Sequence, residues 1–103
     1  MDMQRILQQA RKMQKEMEKK QAALEETLFE ITSAGGAIKV SIYGNYHTEK
    51  VEIDKDMIDP EDKEMLEDSI SIAINEAIEK VQAEQAKITN SMTANAGFGG
   101  FGF

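Results

Sequence analysis

LFEITSAGGAIKVSIYGNYHTEKVEI, residues 28–53, reads as an antiparallel meander of three short strands. Ile38, Val40 and Ile42 alternate with Lys39, Ser41 and Tyr43, the period-two pattern of a strand with one buried face. Phe29 and Ile31 repeat the pattern before it, and Val51 and Ile53 repeat it after. Gly35-Gly36 is a turn signal that closes the first hairpin, and Gly44-Asn45 closes the second, with Gly44 expected to supply a positive φ. Three such strands need a cover over their apolar face. The chain offers a helical segment on either side of them.

The segment before Leu28 has neither glycine nor proline from Met3 to Leu24 and consists mostly of strong helix formers. Ile6, Ala10, Met13, Met17 and Leu24 lie near heptad seam positions, with Lys20 on the position that is skipped. Small and flexible side chains make this a weak seam. The expectation is therefore an arm, residues 1–27, anchored at its C-terminal end and exposed toward its N-terminus. The second helix is expected over 59–88, with Asp59 as N-cap, Pro60 at the first helical position, and Glu61 and Asp62 at the positive end of the helix dipole. Its apolar positions include Leu66, Ile70, Ala73, Ile74, Ala77, Ile78 and Val81, with Ile72 off the stripe. So wide a stripe suggests burial against both the sheet and a second subunit. The fold class is thus α+β: long helix, three-stranded antiparallel sheet (28–54), second helix. Residues 1–90 form one domain, and 91–103 are expected to be a flexible tail in which Phe98, Phe101 and Phe103 alternate with glycines.

The chain of 103 residues has a formal net charge of -7, which by itself argues against nucleic acid. The distribution says otherwise. Six of the twelve basic residues, Arg5, Arg11, Lys12, Lys15, Lys19 and Lys20, fall before position 21, opposed there only by Asp2, Glu16 and Glu18. Arg5, Lys12 and Lys19 recur every seven residues with Lys15 near their face, while Arg11 and Lys20 are expected to point elsewhere. Phosphate contact needs cations that reach a backbone, not a particular fold. No helix-turn-helix, zinc finger or aromatic platform for single strands accompanies them, so little base readout is expected.

Chemistry is hard to find. The chain has no cysteine and one histidine, His47, which reads as a strand residue with no second metal ligand beside it. Asp54, Asp56, Asp59, Glu61 and Asp62 do not follow the order of a calcium loop, and Gly35-Gly36 lacks the lysine of a phosphate-cradling loop. The expectation is a protein with no enzymatic activity, cofactor, metal site or small-molecule substrate. No run is long enough to cross a membrane and nothing resembles a signal peptide, so a cytoplasmic location is expected.

Three segments together resemble the YbaB/EbfC family of bacterial nucleoid-associated, DNA-binding proteins. They are QQARKMQKEMEKKQAALEE, SAGGAIKVSIYGNYHTEKVEID and IDPEDKEMLEDSISIAINEAIEKV. The resemblance implies a homodimer with projecting, tweezer-like N-terminal helices that bind duplex DNA and influence nucleoid organisation and gene expression. On this chain it implies DNA contacts from Arg5, Arg11, Lys12, Lys15, Lys19 and Lys20, and dimer contacts from Ile38, Val40, Ile42, Ile70, Ile74, Ala77 and Ile78. The acidic total departs from a simple DNA-binding picture. The competing expectation is an adaptor dimer whose arms hold a helix or strand of an unidentified protein partner through Met13, Met17 and their apolar neighbours.

Overall fold

The computed structural model describes residues 2–95. Helix α1 (Met3–Glu26) leads into strand β1 (Leu28–Ser33), which is followed by β2 (Ile38–Tyr43), β3 (Thr48–Ile53) and helix α2 (Lys63–Asn95). The strands form one antiparallel sheet in the order β1-β2-β3. Its register is fixed by the pairs Ile31 with Val40, Ser33 with Ile38, Val40 with Val51 and Ile38 with Ile53. Paired residues share a face, so these pairs put Ile31, Ile38, Val40, Val51 and Ile53 on one side. A bulge between Ser41 and Ile42 breaks the β2–β3 ladder.

Helix α2 crosses that face over β1 and β2. The core is a narrow seam: Ile38, Val40 and Ile42 from the sheet meet Ala73, Ala77 and Val81 from the helix, all buried, with Phe29, Ile31, Met57 and Ile70 packed around them. Alanines at Ala73 and Ala77 let the helix approach the sheet closely. Four residues expected at a dimer contact, Ile38, Val40, Ile42 and Ala77, are thus buried inside their own protomer. Ile74 remains exposed, and Ile70 and Ile78 are half-buried. On β3, the inward-facing Val51 is 40% exposed because α2 does not extend over that strand.

Three local expectations differ from the structure. Asp59-Pro60-Glu61-Asp62 is a turn that precedes the helix, closed by the Asp62 amide donating to the Asp59 carbonyl (2.9 Å). The Asp59 carboxylate accepts from the Glu61 amide (3.0 Å). Proline suits the second position of a turn as well as the start of a helix, and the turn wins here. At the other end, α2 continues past the expected fade at 87–90 to Asn95. The rest of the Gly/Phe tail lies outside the described residues. At the second hairpin the positive φ belongs to Tyr46 (70°), not Gly44.

Gly44 serves a different purpose. A Cβ there would fall on the carbonyl oxygen of Leu24 and lie 2.9 Å from Leu24 Cγ. Glycine is needed because the last turn of α1 presses against the β2–β3 turn. The Gly44 amide also donates to the Thr27 carbonyl (3.0 Å). The first hairpin, by contrast, uses glycine for conformation: Gly35 and Gly36 have φ of 67° and 94°.

Candidate nucleic-acid interface

Helix α1 begins at Asp2, whose carboxylate caps it by accepting from the Gln4 amide (3.0 Å). The described hydrogen bonds that tie it to the rest of the chain lie in its last two turns. Leu24 is its only buried residue. Gln85 on α2 donates to the Gln21 side-chain oxygen (2.7 Å), and Lys20 reaches the Ser91 hydroxyl (3.4 Å). Thr27 closes the helix, its hydroxyl donating to the Ala23 carbonyl (2.6 Å) and its amide to the Leu24 carbonyl (3.0 Å). Among the described residues, no side chain from Met3 to Lys19 makes a hydrogen bond or ion pair to the sheet or to α2. Met3–Lys19 spans about 25 Å at 1.5 Å per residue, and every residue in it but the half-buried Met13 is exposed.

All six expected DNA-facing cations are exposed on this arm. Gln8, Arg11, Lys12, Lys15, Glu16 and Lys19 line one shared surface depression. Arg11 therefore joins Lys12, Lys15 and Lys19. The 100° step of the helix makes Arg11 a neighbour of Lys15 one turn on, which a seven-residue count overlooks. Arg5 lies seven residues before Lys12, and Lys20 is drawn to the root beside Ser91.

The arm and the body handle charge differently. Lys50, Lys63, Lys80 and Lys87 on the body are each held by a glutamate at 3.0–3.8 Å. Among the described residues no carboxylate lies within ion-pair distance of any of the six arm cations. Glu18, one of the few acids on the arm, accepts from Gln14 (3.5 Å). On α2, hydrogen bonds from Lys80 (3.1 Å) and Lys87 (3.3 Å) hold the Glu84 carboxyl below the usual carboxylate range. On β3, a hydrogen bond from Lys50 (3.0 Å) does the same for Glu52 and raises Lys50. Four of the body's six lysines are thus neutralised locally; among the described residues Lys39, Lys55 and the six arm cations are in no ion pair, so the unpaired positive charge is concentrated on the arm.

This is the arrangement expected of a backbone reader: cations on a projecting rod, none aimed by a hydrogen-bond network at a fixed base edge. The model of the YbaB/EbfC DNA-binding family matches residues 1–96. The chain belongs to the YbaB/EbfC family. Its relatives there include a nucleoid-associated protein of Alkaliphilus metalliredigens, 45% identical over 95 residues, covering 88% of this chain and 83% of that protein. One from Malacoplasma penetrans is 49% identical over 89 residues, covering 86% and 94%. The fold is also that of an uncharacterized Helicobacter pylori protein of known crystal structure, with a TM-score of 0.71 and 24% identity, covering 89% of this chain and 97% of that one. The YbaB/EbfC match supports DNA as the partner and gives the protein-adaptor alternative no support. No helix among the described residues is long and apolar enough to cross a membrane.

The root of the arm was the part of this interface not visible in the sequence. Gln21 and Gln85 meet across 64 residues, and neither carries a sequence signal of the other. Gly44 reads as a turn glycine whether or not a helix end rests on it.

Proposed function

We propose that this YbaB/EbfC protein is a non-enzymatic homodimer that grips the backbone of duplex DNA between two basic helical arms, with little sequence discrimination, on the chromosome in the cytoplasm. The observation that carries this reading is the contrast in pairing: among the described residues the arm's Arg5, Arg11, Lys12, Lys15, Lys19 and Lys20 are in no ion pair, while four of the body's six lysines are. From Arg5 to Lys19 is about 21 Å along the helix, the rise of about six base pairs, so one arm can follow a groove edge and touch several phosphates. Duplicated arms act as two linked sites, which raises the affinity of two individually modest patches. The net acidity of the body keeps DNA on the arms rather than spread over the surface.

Pairing of two copies is supported by the uncovered side of the core. Val51 on β3 and Ile74 on α2 are 40% and 41% exposed, and Ile53, Ile70 and Ile78 are half-buried on the same elements. An interface built on Ile70, Ile74, Ile78 and Val51 would complete the cover that one helix leaves unfinished. Deleting residues 2–12 tests the arm directly. The truncated chain keeps its fold, because that segment has no described bond to the body, and it loses most of its duplex affinity through loss of Arg5, Arg11 and Lys12. Unchanged affinity in the truncated protein would refute the proposal.

A further inference from the structure

From Met3 to Met17 the arm sorts its side chains by face. Met3, Ile6, Ala10, Met13 and Met17 occupy the two seam positions of a heptad, spaced alternately three and four apart. Of these only Met13 is half-buried; Met3, Ile6 and Met17 are 68%, 44% and 40% exposed. The positions that flank the seam hold Leu7, Gln9, Gln14 and Glu16, without a cation among them. Arg5, Arg11, Lys12, Lys15 and Lys19 all fall on the three outer positions. In a coiled coil the flanking positions meet the partner helix, where like charges repel, and the outer ones face away from it. The arm thus carries an uncovered apolar seam on the side opposite its phosphate-binding cations.

We infer that, on DNA, this seam pairs with the same seam on the arm of a neighbouring dimer. The inference rests on the DNA-binding reading and adds to it a contact between copies. In that reading the basic faces of one dimer's arms turn toward the duplex between them, which leaves the seams facing outward, toward arms bound alongside. Two heptads bury less than the roughly 1,200 Å² of a stable interface, and alanine and methionine pack the seam loosely. In free solution the pairing is also opposed by repulsion between the cations of two arms and between bodies whose chains each carry a net charge of -7. Bound phosphates neutralise the arms and hold neighbouring seams at high local concentration. Seams therefore pair only where a duplex has room for two dimers, and binding there is cooperative.

The test compares the full-length protein with the double variant Ile6→Gln/Met17→Gln, which makes both ends of the seam polar with a good helix former and leaves all six cations in place. Anisotropy titrations use one duplex of about 12 base pairs, twice the span of an arm, and another of about 60. Wild type should give a simple hyperbolic isotherm on the short duplex and a sigmoidal one, with a severalfold lower midpoint, on the long duplex. The variant should match wild type within about twofold on the short duplex, as exposed substitutions do, and lose the sigmoidal shape on the long one. Non-cooperative wild-type binding to the long duplex would overturn the inference while leaving the DNA-binding reading intact. Cooperativity that survives in the variant would also overturn it, and so would equal loss of affinity on both duplexes, which would place the seam against DNA. No wild-type binding to either duplex would overturn the DNA-binding reading and this inference with it.

Discussion

Replacing Gly44 by alanine should loosen the arm from the body more than any other single methyl group added at a turn. The new Cβ would lie 2.5 Å from the Leu24 carbonyl carbon and 2.9 Å from Leu24 Cγ, besides meeting the carbonyl oxygen. The obstructing atoms are mostly backbone, so no side-chain rotation relieves the clash, and the helix end must move away from the β2–β3 turn. That movement costs the strain of overpacking, about 1–3 kcal/mol. It also breaks the bond from the Gly44 amide to the Thr27 carbonyl, worth about 1 kcal/mol. A loss of about 2–4 kcal/mol corresponds to a fall in melting temperature of about 10 °C or more for a domain of this size. Urea unfolding gives the free energy, and hydrogen exchange at Leu24–Thr27 locates the damage. Gly36→Ala is the control: a Cβ there meets nothing within 4 Å, and the residue's φ of 94° charges only the local conformational penalty. Exchange at Leu24–Thr27 should be unaffected in that variant. If Gly44→Ala lies within about 0.5 kcal/mol of wild type, as ordinary surface changes do, the close approach of α1 to the turn is not what holds the arm.

Two further outcomes follow from the open face and from the ion pairs. Ile74→Glu places a charge on a 41% exposed side chain, so the protomer should keep its helical circular dichroism while sedimenting at 11.5 kDa instead of twice that; a persistent dimer would move the interface elsewhere. Glu84 is held below the usual carboxylate range by Lys80 and then Lys87, so its stabilising effect is present above its unfolded-state pKa and is lost as pH falls through its lower folded value. Glu84→Gln should therefore differ from wild type in urea midpoint near neutrality and converge with it once the pH has fallen through that lowered value; a difference independent of pH would exclude these ion pairs as its source.

The parts of the fold written in local periodicity were readable from the sequence. The alternation around Ile38, Val40 and Ile42 placed three strands, and those same residues form the inner face of the sheet. Ile72, off the helical stripe, is 54% exposed. What could not be read depends on contacts between distant segments or on signals with two meanings. Asp59-Pro60 satisfies a turn and a helix start by the same hydrogen-bonding chemistry, and only the position of α2 on the sheet separates them. Beyond Lys87, α2 is met by α1 through Lys20, which reaches the Ser91 hydroxyl, an interaction absent from the helix's own sequence. The apolar side chains of β2 were readable as buried, but not as buried by α2 of the same chain rather than by a second copy. For the arm, exposure of the six cations was legible in the composition. Their freedom from ion pairs, and the grouping of Arg11 with Lys12, Lys15 and Lys19, required the helix to be placed against its neighbours.

If the arms act as phosphate clamps, the salt dependence of duplex binding measures it most directly. Fluorescence anisotropy with the full-length protein and a generic duplex of about 30 base pairs should show binding at low salt with a steep negative slope of log K against log salt. Each phosphate neutralised contributes about 0.9 to that slope, so Lys12→Gln/Lys15→Gln, which removes four charges from a dimer, should make it shallower by about 3–4. No binding at low salt, or a slope that the double substitution leaves unchanged, would contradict the assignment of the arms as the DNA-gripping surface.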